Sequence, residues 1–264
     1  MNPEEFRSFS TYRKPYVTEA VNEVVTRMPI NSTDCLLDVG CGSGDFIKAL
    51  VGEQQLRQVI ALDINQGMID TAKEMNSDPR IQYIVADAGN ADGFKESWNN
   101  TFDKVVCYYV LPYIKNWKSV TLRGICDCLK PGGRAFINAV LKSSHGIQAV
   151  ISGMDIPKWK HYFCDYTYPF YIEGVNKDDF ANILKNIGFK VVFCESEDRD
   201  IIANDEVHAR AICRQMTHHM KCIPAEKRED YFEDFFQHCK NESKQTGDGR
   251  IKWHLDVLTV VVEK

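Results

Sequence analysis

With 264 residues, 44% of them hydrophobic and 26% charged, the chain can bury one ordinary core and a small appended lobe. A formal net charge of -5 offers no global attraction to nucleic acid, whose phosphates are bound mainly by Lys and Arg. The start, Met1-Asn2-Pro3-Glu4-Glu5, has neither a basic nor an apolar segment, and no run nears the roughly 18 apolar residues of a membrane helix, so neither a leader nor a span is expected.

Residues 4–27 are expected to form one or two helices, because Tyr16, Ala20 and Val24, with Val17 and Val21 beside them, make an apolar stripe. Pro15 suits a first helical turn, preceded by the polar-aromatic stretch Phe9 to Lys14. Leu36 to Val39 reads as a strand, followed by a turn with three glycines and a helix opening at Phe46. Further strands follow at Val59 to Ile64, Ile81 to Ala86 and Phe102 to Cys107, the last running into Tyr108-Tyr109. A helix over Val120 to Leu129 and the Lys130-Pro131-Gly132-Gly133 turn lead to a fifth strand, Arg134 to Val140. The alternation then lapses into a segment rich in aromatic residues, from Trp159 to Tyr171, which reads equally as a pocket wall or as a small core. A glycine-closed helix ends at Gly188, a strand covers Lys190 to Glu195, a mostly helical stretch runs from Asn204 to Ser243, and Leu255 to Val262 is a terminal strand.

The chemistry concentrates at Asp38-Val39-Gly40-Cys41-Gly42-Ser43-Gly44. Glycine allows positive φ and removes the Cβ that would hold a ligand off the backbone, and the helix that follows presents unpaired N–H groups. The spacing is GxGxG, whereas a dinucleotide fingerprint would be GxGxxG. Asp63 closes the second strand about twenty residues on, where an acid can accept hydrogen bonds from ribose hydroxyls. The tract Val110 to Trp117 leaves the carboxyl end of the fourth strand, the edge where ligands of doubly wound sheets collect.

These residues, with Asp87 and the Lys130 to Arg134 turn, make the sequence resemble the class I S-adenosylmethionine-dependent methyltransferases. The resemblance implies an α/β, Rossmann-like, doubly wound and mostly parallel seven-stranded sheet with a mainly helical cap. It implies S-adenosyl-L-methionine as cofactor, with Asp38, Gly40, Cys41, Gly42 and Gly44 at its methionine end, Asp63 and Ile64 at the ribose, and Asp87, Ala88 and Tyr108 completing the site. One methyltransferase domain over 1–264 is expected, with a helical arm at 1–30 and cap insertions at 141–180 and 200–250. With the flanks included, the order of features resembles the juvenile hormone acid methyltransferase group of arthropods. Two departures stand out: Pro112 and Tyr113 occupy the place of that group's histidine and tryptophan, and Tyr12 the place of its glutamine.

The acceptor implied is a small lipophilic carboxylate, already ionised at pH 7 and needing alignment more than a base; the alternatives are an amine or protein acceptor, or a catalytically silent S-adenosylmethionine-binding protein. Tyr12 and Tyr113 are candidates to orient its oxygen, Tyr12 and Arg13 to form a lid, and Tyr109, Tyr113, Trp117, Trp159, Tyr168 and Phe170 to hold its apolar part. The seven histidines are expected at the surface, and His218-His219 are too close in sequence to chelate from one helix face. Cys126 and Cys128 lack a second ligand pair, so no metal is expected. The ten cysteines lie mostly in apolar runs, as Cys35, Cys107 and Cys194 do, which predicts free thiols in a reducing cytosol. No nucleic-acid or membrane partner is expected.

Overall fold

The computed structural model describes residues 3–245 and 250–264, with side chains for 14–244 and 250–264. In chain order its main elements are α1 (Pro3–Arg27), β1 (Cys35–Val39), α2 (Asp45–Gln54), β2 (Gln58–Asp63), α3 (Gln66–Met75), β3 (Ile81–Val85), β4 (Phe102–Tyr108) and α4 (Leu122–Cys128). They continue with β5 (Leu129–Val140), α5 (His145–Ser152), α6 (Lys177–Ile187), β6 (Lys190–Ala203), α7 (Glu206–Gln215), α8 (Arg228–Asn241), β7 (Lys244–Gln245) and β8 (Ile251–Glu263).

The sheet order is β3-β2-β1-β4-β5-β8-β6, with the two-residue β7 paired antiparallel to β8. The pairs β1/β2, β2/β3, β1/β4 and β4/β5 are parallel. Chain order reverses between β1 and β4, and Asp38 faces Ala61 of β2 on one side and Val106 of β4 on the other. The carboxyl end of β1 is therefore the switch point at which a crevice forms. Strands buried on both faces read as nearly continuous apolar runs, and Leu36, Leu37, Val59, Ala61, Val105 and Val106 are wholly buried.

By its contacts the chain divides into two compact units. The sheet unit comprises Arg13–Ala139, Val175–Ser196 and Leu258–Lys264. Its core takes Val21, Val24 and Met28 from α1, Ile47 and Leu50 from α2, and Leu36, Val59, Val106, Phe136 and Val261 from the strands. The cap unit comprises Val140–Gly174 and Glu197–Val257 with the turns of α1 up to Tyr12. It packs α5, α7, α8 and short turns such as Lys160–Phe163 and His218–Cys222 around Phe163, His219, Tyr231 and Phe235, whose rings meet at centroid distances of 5.1–5.8 Å.

Several expectations are corrected. Pro15 lies inside α1 instead of in a first turn, because the helix begins at Pro3; its missing N–H leaves one carbonyl of the preceding turn without a helical donor. Tyr16, placed in the apolar stripe, is exposed. β5 starts at Leu129, so the Lys130 to Gly133 turn is taken up into the strand, with a register irregularity between Phe102 and Lys104 of β4. β6 runs past Glu195 to Ala203 through the polar segment Ser196 to Asp200. Pairing to β8 overrides the poor strand propensity there, and charged pairs such as Lys252 Nζ to Asp200 at 2.8 Å line the two strands. His208 and His219 are buried and not on the surface. Each has an internal partner: the Asn204 N–H donates to His208 Nδ1 at 3.2 Å, and His219 Nε2 meets the Tyr231 hydroxyl at 2.5 Å. All ten cysteines are free thiols.

Candidate functional site

The glycine loop joins β1 to α2 inside the sheet unit. Gly40, Gly42 and Gly44 have φ of 81°, 54° and 80°, the left-handed region that a Cβ disfavours. Gly40 also has no room for one, since a Cβ there would strike both methyls of Val110. A Cβ on Gly42, by contrast, would meet nothing within 4 Å, so that glycine faces open space.

The loop is held from β2. The N–H groups of Gly40 and Cys41 both donate to the Leu62 carbonyl, at 2.7 and 2.9 Å, and the Gly42 N–H donates to Asp63 Oδ2 at 2.9 Å. The other oxygen of Asp63 accepts from the Asn65 N–H at 2.8 Å. Asp63 is thus fixed by the backbone on both sides while remaining half-buried. α2 follows Gly44 without a side-chain cap, and the acid in its first turn, Asp45, accepts from the Ser43 hydroxyl at 2.5 Å and from Asn76 Nδ2 at 3.2 Å.

Asp38 is 2% exposed, and its Oδ2 is buried with no hydrogen-bond partner. Burial first, and the neighbouring Asp63 charge second, push its carboxyl up to about 8. A buried carboxyl oxygen with no partner favours a ligand group that donates a hydrogen bond or, to the ionised form, a cation. Ile64 is 66% exposed, and Met68 and Val85 are also exposed. They put apolar surface near Asp63, since Ile64 follows it in the chain and Val85 pairs with it in the sheet. Asp87 is exposed and its Oδ1 accepts from the Gly89 N–H at 2.8 Å, while the Ala88 carbonyl accepts from the Thr121 hydroxyl at 2.8 Å.

At the end of β4 the Tyr108 ring stacks between Phe46 and Phe136, with centroids at 5.6 and 6.0 Å. Its hydroxyl donates to Glu23 Oε2 at 2.9 Å. Tyr109 has φ of 59°, uncommon for a bulky residue, and its N–H donates to the Asn138 carbonyl at 3.0 Å. Tyr113 is half-buried on the turn Leu111–Tyr113, and Trp117 is buried against Phe180 with stacked rings at 5.5 Å. Asn138 and Glu23 carry no motif; the only signal for Glu23 is an acid set among the apolar positions of α1.

In the cap unit Trp159, Tyr168 and Phe170 are buried. Trp159 Nε1 donates to Asp234 Oδ2 at 2.7 Å and the Tyr168 hydroxyl to the Met216 carbonyl at 3.2 Å. A cleft of about 760 Å³ in this unit is lined by Ser152, Lys158, Asp234 and His238 among others. One group among the described residues, Asp198, His254 and Asp256, brings ligand-type atoms within 4.8 Å of one another, an ion-paired cluster with Asp200 3.4 Å from His254 Nδ1. The side chains of Tyr12 and Arg13 lie outside the described residues.

A glycine loop at the switch point with an acid closing β2 agrees with the family comparison, in which a methyltransferase domain matches residues 9–193. The chain belongs to the methyltransferase domain family. This enzyme is 26% identical over 232 residues to the juvenile hormone acid O-methyltransferase of Drosophila melanogaster, covering 81% of this chain and 74% of that one. It is 26% identical over 216 residues to an uncharacterized methyltransferase of Schizosaccharomyces pombe, covering 78% of each. A third relative, from Invertebrate iridescent virus 6 and named as a candidate methyltransferase, is 29% identical over 160 residues, 59% of this chain and only 56% of the viral one. Among solved structures, a Haemonchus contortus phosphoethanolamine N-methyltransferase superposes with a TM-score of 0.58 at 19% identity, over 92% of this chain and 52% of that one. The [4+2]-cyclase SpnF superposes with 0.59 at 16% identity, over 93% and 80%. The fold is thus the Rossmann-like class I methyltransferase fold, with seven strands on its main path. Among the described residues no helix is long and apolar enough to cross a membrane.

Proposed function

We propose that this methyltransferase uses S-adenosyl-L-methionine in the cytosol to methylate the carboxylate of a small lipophilic acceptor of the sesquiterpenoid-acid type. The observation that carries the donor assignment is the buried, unpartnered Asp38 Oδ2 at the end of β1, on a loop that continues through the open Gly42 to the start of α2. These features fit a ligand end bearing both an ammonium and a carboxylate. Asp38 would take the ammonium, the first turn of α2 the carboxylate, and Asp63 the ribose hydroxyls through lone pairs its two backbone donors leave over. Ile64, with Asp87 and Ala88, would flank the base. When bound, the donor supplies a methyl group activated by its sulfonium.

The acceptor assignment draws on the Drosophila relative and on the composition of the rim beyond β4. From Tyr108 to Thr121 the sequence has no His, Asp or Glu, so the tract offers no ordinary general base. A carboxylate needs none, because its nucleophilic oxygen is already charged at pH 7. Tyr113 would donate a hydrogen bond that orients that oxygen, and Tyr109 would contact the apolar tail. Trp117, Trp159, Tyr168 and Phe170 are buried, and the indole of Trp159 and the hydroxyl of Tyr168 have protein partners; this supports a scaffolding role for them.

The test is methyl transfer from labelled S-adenosylmethionine to sesquiterpenoid acids, plain fatty acids, amines and phenols, with Asp63→Ala as control. Label on the acids, lost in the variant, supports the reading; label on amines alone contradicts the acceptor assignment.

A further inference from the structure

We propose that Glu23 is a positioning residue that latches α1 to the donor loop through Tyr108. The inference rests on the donor site assigned above and concerns a residue outside it. The Glu23 side chain is only 10% exposed, on a helix whose neighbouring Val21, Val24 and Met28 are wholly buried in the core of the sheet unit. Burying a carboxylate is costly unless it is paired. Glu23 has partners on both carboxylate oxygens. The Tyr108 hydroxyl donates to Oε2 at 2.9 Å, and Arg27 Nε, one turn along α1, lies 3.7 Å from Oε1. The Arg27 guanidinium is itself fixed over the Phe193 ring, 4.5 Å from its centroid.

What Glu23 holds decides what it can do. Tyr108 ends β4, and its ring is stacked on Phe46 within 11° of parallel and on Phe136 within 18°. Phe46 belongs to the first turn of α2, two residues past Gly44, where the uncapped N–H groups stand. The next residue, Tyr109, packs edge-on to Tyr108 with centroids 4.7 Å apart and carries the left-handed backbone. A non-glycine residue stays in that conformation only where its surroundings over-determine it. One carboxylate on α1 therefore fixes the ring against which both the start of α2 and the strained residue after β4 are set. Docking of α1 and the shape of the donor loop become one cooperative event.

A purely structural anchor would give the same contacts but a different response. The experiment measures S-adenosylmethionine binding by calorimetry, and thermal midpoints, for the full chain and for Glu23→Ala, Tyr108→Phe, their combination and Glu23→Gln. The latch predicts that each of the first two raises the donor Kd by about tenfold, the loss of one charge-assisted hydrogen bond. The double variant should be no worse than Glu23→Ala alone, because that variant has already lost the bond to the Tyr108 hydroxyl. Glu23→Gln retains an acceptor for the hydroxyl and should recover most of the affinity. Lowered midpoints with an unchanged donor Kd, or additive losses in the double variant, overturn the latch while leaving the donor site intact. Failure of the unaltered protein to bind the donor overturns the donor site itself, and the latch with it.

Discussion

The rim beside β1 and the interior of the cap unit use polar atoms in opposite ways. At the rim, Asp38 Oδ2 has no partner, α2 has no side-chain cap and Gly42 faces open space. In the cap the aromatic polar tips mostly close on their own unit: Trp159 on Asp234, Tyr168 on the Met216 carbonyl, Trp253 on the Cys239 carbonyl and Tyr231 on His219. The Tyr166 hydroxyl and His219 Nδ1 are the buried exceptions there. Unsatisfied polarity that is costly for a fold is what a ligand can repay, whereas a satisfied aromatic cluster is complete without one.

The contrast can be broken most severely at Asp63. Asp63→Ala removes the acceptor for the Gly42 and Asn65 N–H groups together with the proposed ribose contact, and should reduce donor affinity by at least about 100-fold in calorimetry, two charge-assisted hydrogen bonds' worth. Next come two alanine substitutions in one loop. Gly40→Ala drives a methyl into Val110 at positive φ and should cost roughly 2–5 kcal/mol in denaturant unfolding. Gly42→Ala meets no atom, so it should cost only the backbone strain of about 1–2 kcal/mol, yet still weaken donor binding by filling the open space. Equal stability losses at the two positions would contradict the assignment of that space to a ligand.

In the cap, Tyr231→Phe leaves His219 buried with neither ring nitrogen bonded, and should cost about 1–3 kcal/mol. The two units also differ in their response to pH. Burial, and then the adjacent His218, hold His219 down at about 4, below the ordinary 6.5. The folded state then binds fewer protons than the unfolded chain, and the contribution from His219 is lost as pH falls from 6.5 through 4. Asp38, raised to about 8, has the opposite sign: the folded state keeps a proton that the unfolded chain releases near 3.8, so stability declines as pH rises from 4 through 8. Asp38→Asn should flatten the alkaline side of a thermal-midpoint profile and leave the acid side unchanged. In the unaltered protein donor affinity should strengthen as pH approaches 8, because the cationic donor favours the ionised carboxylate.

The legibility of the sequence follows the same division. Glycine spacing constrains the backbone directly, so Gly40, Gly42 and Gly44 could be placed in the turn between β1, which holds Asp38, and α2, and Asp63 at the end of β2, before any fold was known. Apolar runs likewise marked β1 to β4 to within a residue or two. The aromatic segment was ambiguous because Trp159 or Tyr168 serves a core and a pocket wall with the same chemistry. Glu23 was not found, since its partner Tyr108 is 85 residues away and neither belongs to a motif. The extension of β6 through Ser196 to Asp200 was hidden because charged residues argue against a strand until β8 supplies the ladder. His219 was expected at the surface because its partner Tyr231 becomes a neighbour only when α8 folds back on the turn His218–Cys222.

The central claim is the transfer itself, and mass spectrometry of the acceptor tests it most directly. The purified chain is incubated with S-adenosylmethionine carrying a trideuterated methyl group and with farnesoic acid, and the product is analysed before and after mild alkaline hydrolysis. The account predicts a deuterated methyl ester that alkali cleaves back to the acid. Donor binding with no label on the acid, or a labelled product that survives alkali, would contradict it.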